Sequence, residues 1–426
     1  MSNIMGKSKG KERNLKLKKQ RILSKNLIMI VPLLFLLILT IHALTPSKEF
    51  QVNTYTKEMQ WYPDTAMNAD GDFVVVWESE GQDGDIGGIF AQRFNSQGQK
   101  LKKEFQVNTN IASVQGSPAV AMDKKGNFVV VWESYGQDGD RFGIFGQIYK
   151  KTGKKLNKEF QVNTTIKNHQ LFPDVAMDAK GNFVVTWTMV RKKKNMFDIF
   201  AQRFSRTGKP LGDEFQVNTY VDNNQWLSQV GMDRKGNFVI VWESFNQDSD
   251  SGGVYAQLYS KTGKKIGEEF RVNTTFITFQ GYPSVAMDIR GNFVVAWDCY
   301  WFDGDDYGIF AKIFDSEGNP LTDEFQVNEF TEDSQLLSHV SMDKRGNCIF
   351  VWESYHQDTS KGGVYAKRFK KDGTGIGSEF RVNQFIPDNQ GSPRTAMSYK
   401  GDFVVIWESF DQDGDHYGIF GRYYKK

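Results

Sequence analysis

Seven positions spaced 55 residues apart carry Asp64, Ala119, Asp174, Gln229, Ser284, His339 and Arg394. Carboxylates, an imidazole and a guanidinium at one level could form a catalytic cluster of the glycan-cleaving kind. They could equally line a hydrated channel, and the channel reading is preferred. No HExxH, GxSxG, P-loop or dinucleotide fingerprint accompanies them. The five histidines, at 42, 169, 339, 356 and 416, have no metal-ligand spacing.

A second set of acids recurs in the turns "QDGD" at 82–85, 137–140 and 412–415, with looser copies at 247–250, 303–306 and 357–360. Calcium takes six to eight oxygens, and pairs such as Asp83 and Asp85, Asp138 and Asp140, or Asp413 and Asp415 could supply some of them. The acid that follows the repeated Trp in six of the copies, for example Glu78, could add another. Yet the calcium-loop signature of alternating acids closed by a bidentate Glu is missing. The third copy reads "VRKKKNMFD" at unchanged length, so the turn forms without acids. Asp-Gly is also a tight reversal in its own right. Turn chemistry is therefore expected, with calcium as the alternative and no other cofactor.

The elements that must position these residues follow from one period. "EF[QR]VN" recurs with its Phe at 50, 105, 160, 215, 270, 325 and 380, and Trp77, Trp132, Trp187, Trp242, Trp297, Trp352 and Trp407 keep the same step of 55. Each unit holds four strand signals, such as "SPAVAMD", "NFVVVWES", "GIFGQIY" and "EFQVNT" in the second copy, separated by Gly-containing turns. Continuous apolar runs demand burial on both faces. The expected fold is all-β: a seven-bladed β-propeller over 48–426 with four-stranded antiparallel blades. The first repeat element, "KEFQVNT", is an isolated fourth strand, and the last unit stops after its third, "YGIFGRYY". The N-terminal strand should therefore close the last blade and leave few exposed edges.

In such a blade the loops before the first strand and between the second and third share one end. That face then carries the recurring Gln60, Gln115, Gln170 and their equivalents, read as structural amides, and the aromatic variation Trp61, Tyr62, Phe172, Trp226, Tyr282, Tyr300, Trp301 and Phe302. Exposed rings beside hydrogen-bonding groups suit sugars or peptide segments, although such rings also pack between blades. The candidate ligand-binding face is Trp61, Tyr62, Asp64, Asp174, Trp226, Tyr282, Trp301, His339 and Arg394. The opposite face receives short turns that offer little.

Residues 1–47 hold nine of the 53 Lys/Arg and one of the 51 Asp/Glu. The rest of the chain is mildly acidic, which argues against nucleic acid as a partner. Residues 1–26 read as a basic cytoplasmic segment. Residues 27–44, "LIMIVPLLFLLILTIHAL", read as a signal peptide cleaved near Ala43 or as a single transmembrane anchor. In either case the preceding lysines place residues 48–426 outside the cytoplasm. Cys299 and Cys348 stand where other copies have different residues and do not make a disulfide framework.

The unit "GNFVVVWES..QDGD..GIFAQRF...G..L..EFQVNT" resembles repeats of secreted bacterial β-propeller proteins, often joined to adhesin-like or calcium-binding modules. "MDxxGNFVV" is also similar to NHL-type repeats, and Asp-x-x-Gly differs from the Asp-x-Gly of the sialidase Asp-box. The resemblance spans 48–426 and implies a propeller outside the cytoplasm. It implies no reaction and no catalytic residues. The expected function is a non-catalytic scaffold that binds a glycan or protein, with a glycan-cleaving enzyme or a purely structural surface module as alternatives.

Overall fold

The computed structural model describes residues 44–191, 196–248, 251–275 and 278–426. The basic segment 1–26, all but the last residue of the apolar run 27–44, and Lys192 to Lys194 of the charge-inverted turn lie outside the described residues. Among the described residues no helix is long and apolar enough to cross a membrane.

Residues 46–425 form one unit of seven antiparallel sheets arranged as the blades of a β-propeller. In blade 1 the strands run Gln60–Met67, Phe73–Glu80, Gly87–Phe94 and Phe105–Gln106, from the axis outward. The second strand is buried almost throughout because each of its faces packs on a neighbouring blade. The core is therefore distributed between blades. Six of the seams hold a cluster such as Val74, Val76 and Ile89 of blade 1 against Phe128, Val130 and Trp132 of blade 2. The seven Trp are fully buried, and each contributes on the order of 1.5–3 kcal/mol by burial. An aromatic pair on strands two and three accompanies them in six blades, Phe73 stacked on Phe94 at 4.6 Å and Phe128 on Tyr149 at 4.8 Å, while blade 6 sets Cys348 opposite Phe369.

Closure occurs as the chain ends foretell. The short strand Phe50–Gln51 pairs antiparallel with Tyr417–Lys425, Phe50 opposite Gly421. Val52, Phe73 and Trp77 share one cluster with Val404, Ile406 and Tyr423, which joins blade 7 to blade 1. Gly421 stands where Ala91, Ala201 and Ala256 fill the equivalent place, and a Cβ there would lie 2.7 Å from the end of the Ile406 side chain and 3.0 Å from Phe50.

The outer strand is short in most blades, and side chains replace its ladder. Asn53 is a hub: its Oδ1 accepts the Ile419 N–H at 2.9 Å and its Nδ2 donates to Gln60 Oε1 at 2.9 Å. The same bonds recur at Asn108, with Ile89 and Gln115. Gln60 and its equivalents are fully buried, as expected for structural amides. The Glu of "EF[QR]VN" reaches back one blade, so that Glu104 accepts the Thr54 N–H at 2.6 Å and Glu49 accepts the Gln384 N–H at 2.5 Å. Every blade is thus tied to the next, including the last to the first.

Candidate functional site: the axial cavity and its rim

A cavity of about 500 Å³ opens on the axis at the face carrying the Gln and QDGD loops, and all seven blades line it. Its wall is shaped by one irregularity repeated in every inner strand. Pairing with the second strand slips between Trp61 and Asp64, and at the same place in the other six blades. Inside each slip one residue is left-handed: Tyr62, Ser117, Phe172, Leu227, Tyr282, Leu337 and Ser392, with φ between 47° and 55°. None is Gly or Asn, so each costs roughly 1 kcal/mol or more and must be held by its surroundings. The slip aims these side chains at the cavity mouth, where Tyr62 is 53 % and Tyr282 42 % exposed.

What holds the left-handed residue is the acid after the Trp of the preceding blade. Glu408 accepts the Tyr62 N–H at 2.6 Å, Glu133 that of Phe172 at 3.0 Å, and Asp298 that of Leu337 at 2.7 Å. Glu78, Glu243 and Glu353 do the same for Ser117, Tyr282 and Ser392. Blade 3 has Thr188 at this position. These acids are candidate calcium ligands in the sequence; the structure places them at the seams between blades. Burial pushes Glu78, Glu243, Asp298 and Glu408 up to about 7.

One step deeper stands the layer Asp64, Ala119, Asp174, Gln229, Ser284, His339 and Arg394, all lining the cavity. Four of them also bond across a seam. Asp64 accepts the Val120 N–H at 2.7 Å, Asp174 that of Val230 at 2.7 Å, Ser284 that of Val340 at 3.1 Å, and His339 Nδ1 that of Thr395 at 3.3 Å. Burial raises Asp64 to about 6, against the pull of Arg394 and the Val120 amide. Burial raises Asp174 to about 7, and the Asp64 charge adds to the rise. His339 falls to about 3 through burial and then the Arg394 charge, which suits an imidazole that accepts a backbone N–H.

Of the nine face residues singled out in the sequence, Tyr62, Asp64, Asp174, Tyr282, His339 and Arg394 line the cavity. Trp61 is half-buried against Tyr62 at 5.5 Å. Trp226 belongs to a series of touching rings. Phe197, Trp226, Phe245 and Phe279 follow one another at 5.9, 5.8 and 6.2 Å. From Phe279 the series reaches Tyr282 at the cavity rim and, through Tyr307 and Tyr300, the exposed Trp301. Trp301 is left-handed at φ 61°, at a position filled by Gly81 and Gly136 in blades 1 and 2, and is 57 % exposed.

The QDGD carboxylates are used as hydrogen-bond acceptors. Asp83, Asp138 and Asp413 each accept from the Gln and Asn of their own blade's outer strand, Asp413 from Gln51 at 3.0 Å and Asn53 at 3.1 Å. Asp85, Asp140 and Asp415 each accept a backbone N–H from the next blade, that of Ser113 at 2.9 Å, Asn168 at 3.2 Å and Glu58 at 3.1 Å. Among the described residues no three His, Cys, Asp or Glu side chains converge as a metal site would require.

No family model matches the chain, and no curated protein matches it. Among solved structures it is similar to a protein of unknown function from Dyadobacter fermentans, 10 % identical over 90 % of this chain and 99 % of that one, with a TM-score of 0.54. It is also similar to polysaccharide lyase Uly1, 10 % identical over 84 % and 89 % of the two chains, with a TM-score of 0.51. An α-L-arabinanase from Penicillium chrysogenum complexed with arabinobiose is 11 % identical over 90 % and 98 %, at a TM-score of 0.48. At these identities the likeness to the first two is one of fold alone.

Proposed function

We propose that the chain is an exported, membrane-tethered propeller that binds a glycan at the axial cavity without cleaving it. The observation that carries this is the cavity of about 500 Å³ with Tyr62, Phe172 and Tyr282 at its mouth and hydrogen-bonding side chains from every blade in its wall. Faces of exposed rings suit the C–H faces of sugars, and polar groups converging below them suit hydroxyls. The ring series from Tyr282 to Trp301 continues the apolar track outward, as an extended chain of sugars would use. A non-catalytic role is supported by the recurrence of the seam bonds: Asp64 and Asp174 have the same backbone task as Ser284 and His339. Uly1 is named as a polysaccharide lyase, but the support for a glycan here comes from these residues.

The test is a glycan array probed with the chain, followed by titration of the best oligosaccharide. Tyr62→Ala and Tyr282→Ala should each weaken binding roughly two- to tenfold, since loss of one stacking contact is worth roughly 0.5–1.5 kcal/mol. Undiminished binding in both variants would move the site elsewhere. A second reading, glycan cleavage, is favoured by one feature: Asp174 and Asp64 are raised towards neutrality, as a general acid requires. It demands turnover of a bound glycan that disappears in Asp64→Asn or Asp174→Asn.

A further inference from the structure

The face opposite the cavity is basic over blades 2 to 4, whose turns there carry Lys124, Lys125, Lys150, Lys180, Arg206 and Lys235. Its turns read "DKKGN" at 123–127, "KKTGKK" at 150–155, "SKTGKK" at 260–265 and "DKRGN" at 343–347, whereas the cavity-side turns read "QDGD". A tally of charges hides this, because each DxxGN turn also holds an acid. That acid is buried: Asp123 accepts the N–H groups of Lys125 and Asn127 at 2.8 and 2.9 Å. The lysines and arginines are left outermost, and Lys125, Lys150, Lys180 and Arg206 are exposed. Between blades 2 and 3 a groove of about 770 Å³ opens on this face, with Lys124, Lys125, Lys150, Lys180 and Arg206 along it. None of these five has a salt-bridge partner among the described residues.

The chain also enters the ring on this face. The Ser47 N–H donates to the Tyr423 carbonyl at 2.7 Å, at the end of the last strand, and from there the chain runs towards the cavity face, with Val52 bonded to Ile419 at 2.8 Å. The apolar run ends at Leu44, three residues before Ser47. Three residues span at most about 10 Å, close to the screening length of about 8 Å at physiological salt. A chain held in a membrane by residues 27–44 would therefore keep this face within electrostatic reach of the headgroups.

We propose that the basic face docks on an anionic membrane surface, on the leaflet in which the tether is held, and so turns the glycan cavity away from the membrane. This rests on the tethered reading above. Charge complementarity and the short tether select the lipid surface, and one hydrophobic segment alone does not orient a domain.

The ring closes within residues 46–425, so a 46–426 fragment retains every blade and tests the face without the tether. Its binding is measured by co-sedimentation with phosphatidylcholine vesicles and with vesicles of phosphatidylcholine mixed with phosphatidylglycerol. Binding should be at least about tenfold stronger to the anionic vesicles and should be lost as salt is raised. The triple variant Lys124→Glu, Lys125→Glu, Lys150→Glu should lose about tenfold in vesicle binding while its circular dichroism and glycan binding stay unchanged. Equal binding to both vesicle types, or undiminished binding by a folded triple variant, overturns the proposal. So does tighter binding of the fragment to inorganic polyphosphate than to anionic vesicles at equal phosphate concentration, which would make a soluble polyanion the occupant. Fractionation of cells expressing the full chain reads the tether separately: vesicle binding lost with the chain still in the membrane fraction removes the docking face and leaves the tether.

Discussion

Asn218 donates to Asp198 at 2.8 Å, the bond that Asn108 makes to Asp83 and Asn328 to Asp303 from a different place in the chain. In six blades the carboxylate comes from the turn and the facing residue of strand three is Gly. A Cβ on Gly88 would lie 2.3 Å from Asp83 Oδ2, and one on Gly308 2.2 Å from Asp303 Oδ2. Blade 3 has lost the turn acids and carries Asp198 where the others have that Gly. One carboxylate position is thus filled from either of two backbone sites, never both.

Asp198→Gly should therefore destabilise the protein although it restores the residue of the other six blades. It removes the acceptor of Asn218 and the buried partner of Arg191, which sits at 2.6 Å. Loss of a hydrogen bond to a charged group predicts about 1.5–3 kcal/mol in urea unfolding, with Asp198→Asn intermediate. The reciprocal change, Gly88→Ala, should cost about 1–3 kcal/mol by overpacking against Asp83. A neutral Asp198→Gly would remove the exchange argument.

Fold and closure are legible because they rest on local signals: the period of 55, apolar runs for the second strands, glycines at the turns and an outer strand displaced to the front of the chain. The cavity layer is legible as variation at a fixed position. Other features are not. Tyr62, Phe172 and Leu227 are left-handed without a residue type that announces it. Glu78 reads as a metal ligand in the sequence because its real partner, the Ser117 N–H, lies 39 residues on in another blade. The basic face escapes notice because Asp123 offsets Lys124 or Lys125 in a sequence and does not do so once buried. Bonds between blades leave a mark in the sequence only as a residue kept in every copy.

Stability should fall as pH rises from about 5 to about 8. Glu408, Glu78, Glu243 and Asp298 are raised to about 7 from ordinary carboxylate values, chiefly by burial. Between those values the folded chain binds more protons than the unfolded one, so each unit of pH gained there favours unfolding. Thermal melts across the range check the sign, and Glu408→Gln should flatten part of the slope while keeping an acceptor for the Tyr62 N–H. A melting temperature that climbs over the same interval would show that these groups are charged and well paired in the ring.

Removing calcium should leave the melting temperature where it was. In the QDGD turns Asp413 Oδ2 already accepts from Gln51 and Asn53, Asp85 from Ser113 and Asp140 from Asn168, so a cation would have to displace those donors. A site that held the ion only when folded would add stability with calcium concentration by mass action. Melts with excess chelator and with millimolar calcium should coincide, and a rise with calcium would restore the metal reading.

Trp301→Gly should act in opposite directions on stability and on binding. The residue is held left-handed at φ 61°, where blades 1 and 2 use Gly81 and Gly136. Relief of that conformation is worth about 1 kcal/mol, and little packing is lost because the ring is 57 % exposed and meets Tyr300 only edge-on at 6.4 Å. The variant should therefore unfold at higher urea. If the outer part of the aromatic series carries a glycan chain, the same variant should bind a long oligosaccharide less well than the parent. It should bind a short one, which reaches only Tyr62 and Tyr282 at the cavity mouth, equally well. Equal losses for both lengths would place Trp301 outside the track, and a drop in stability would mean that the strained conformation serves the fold instead.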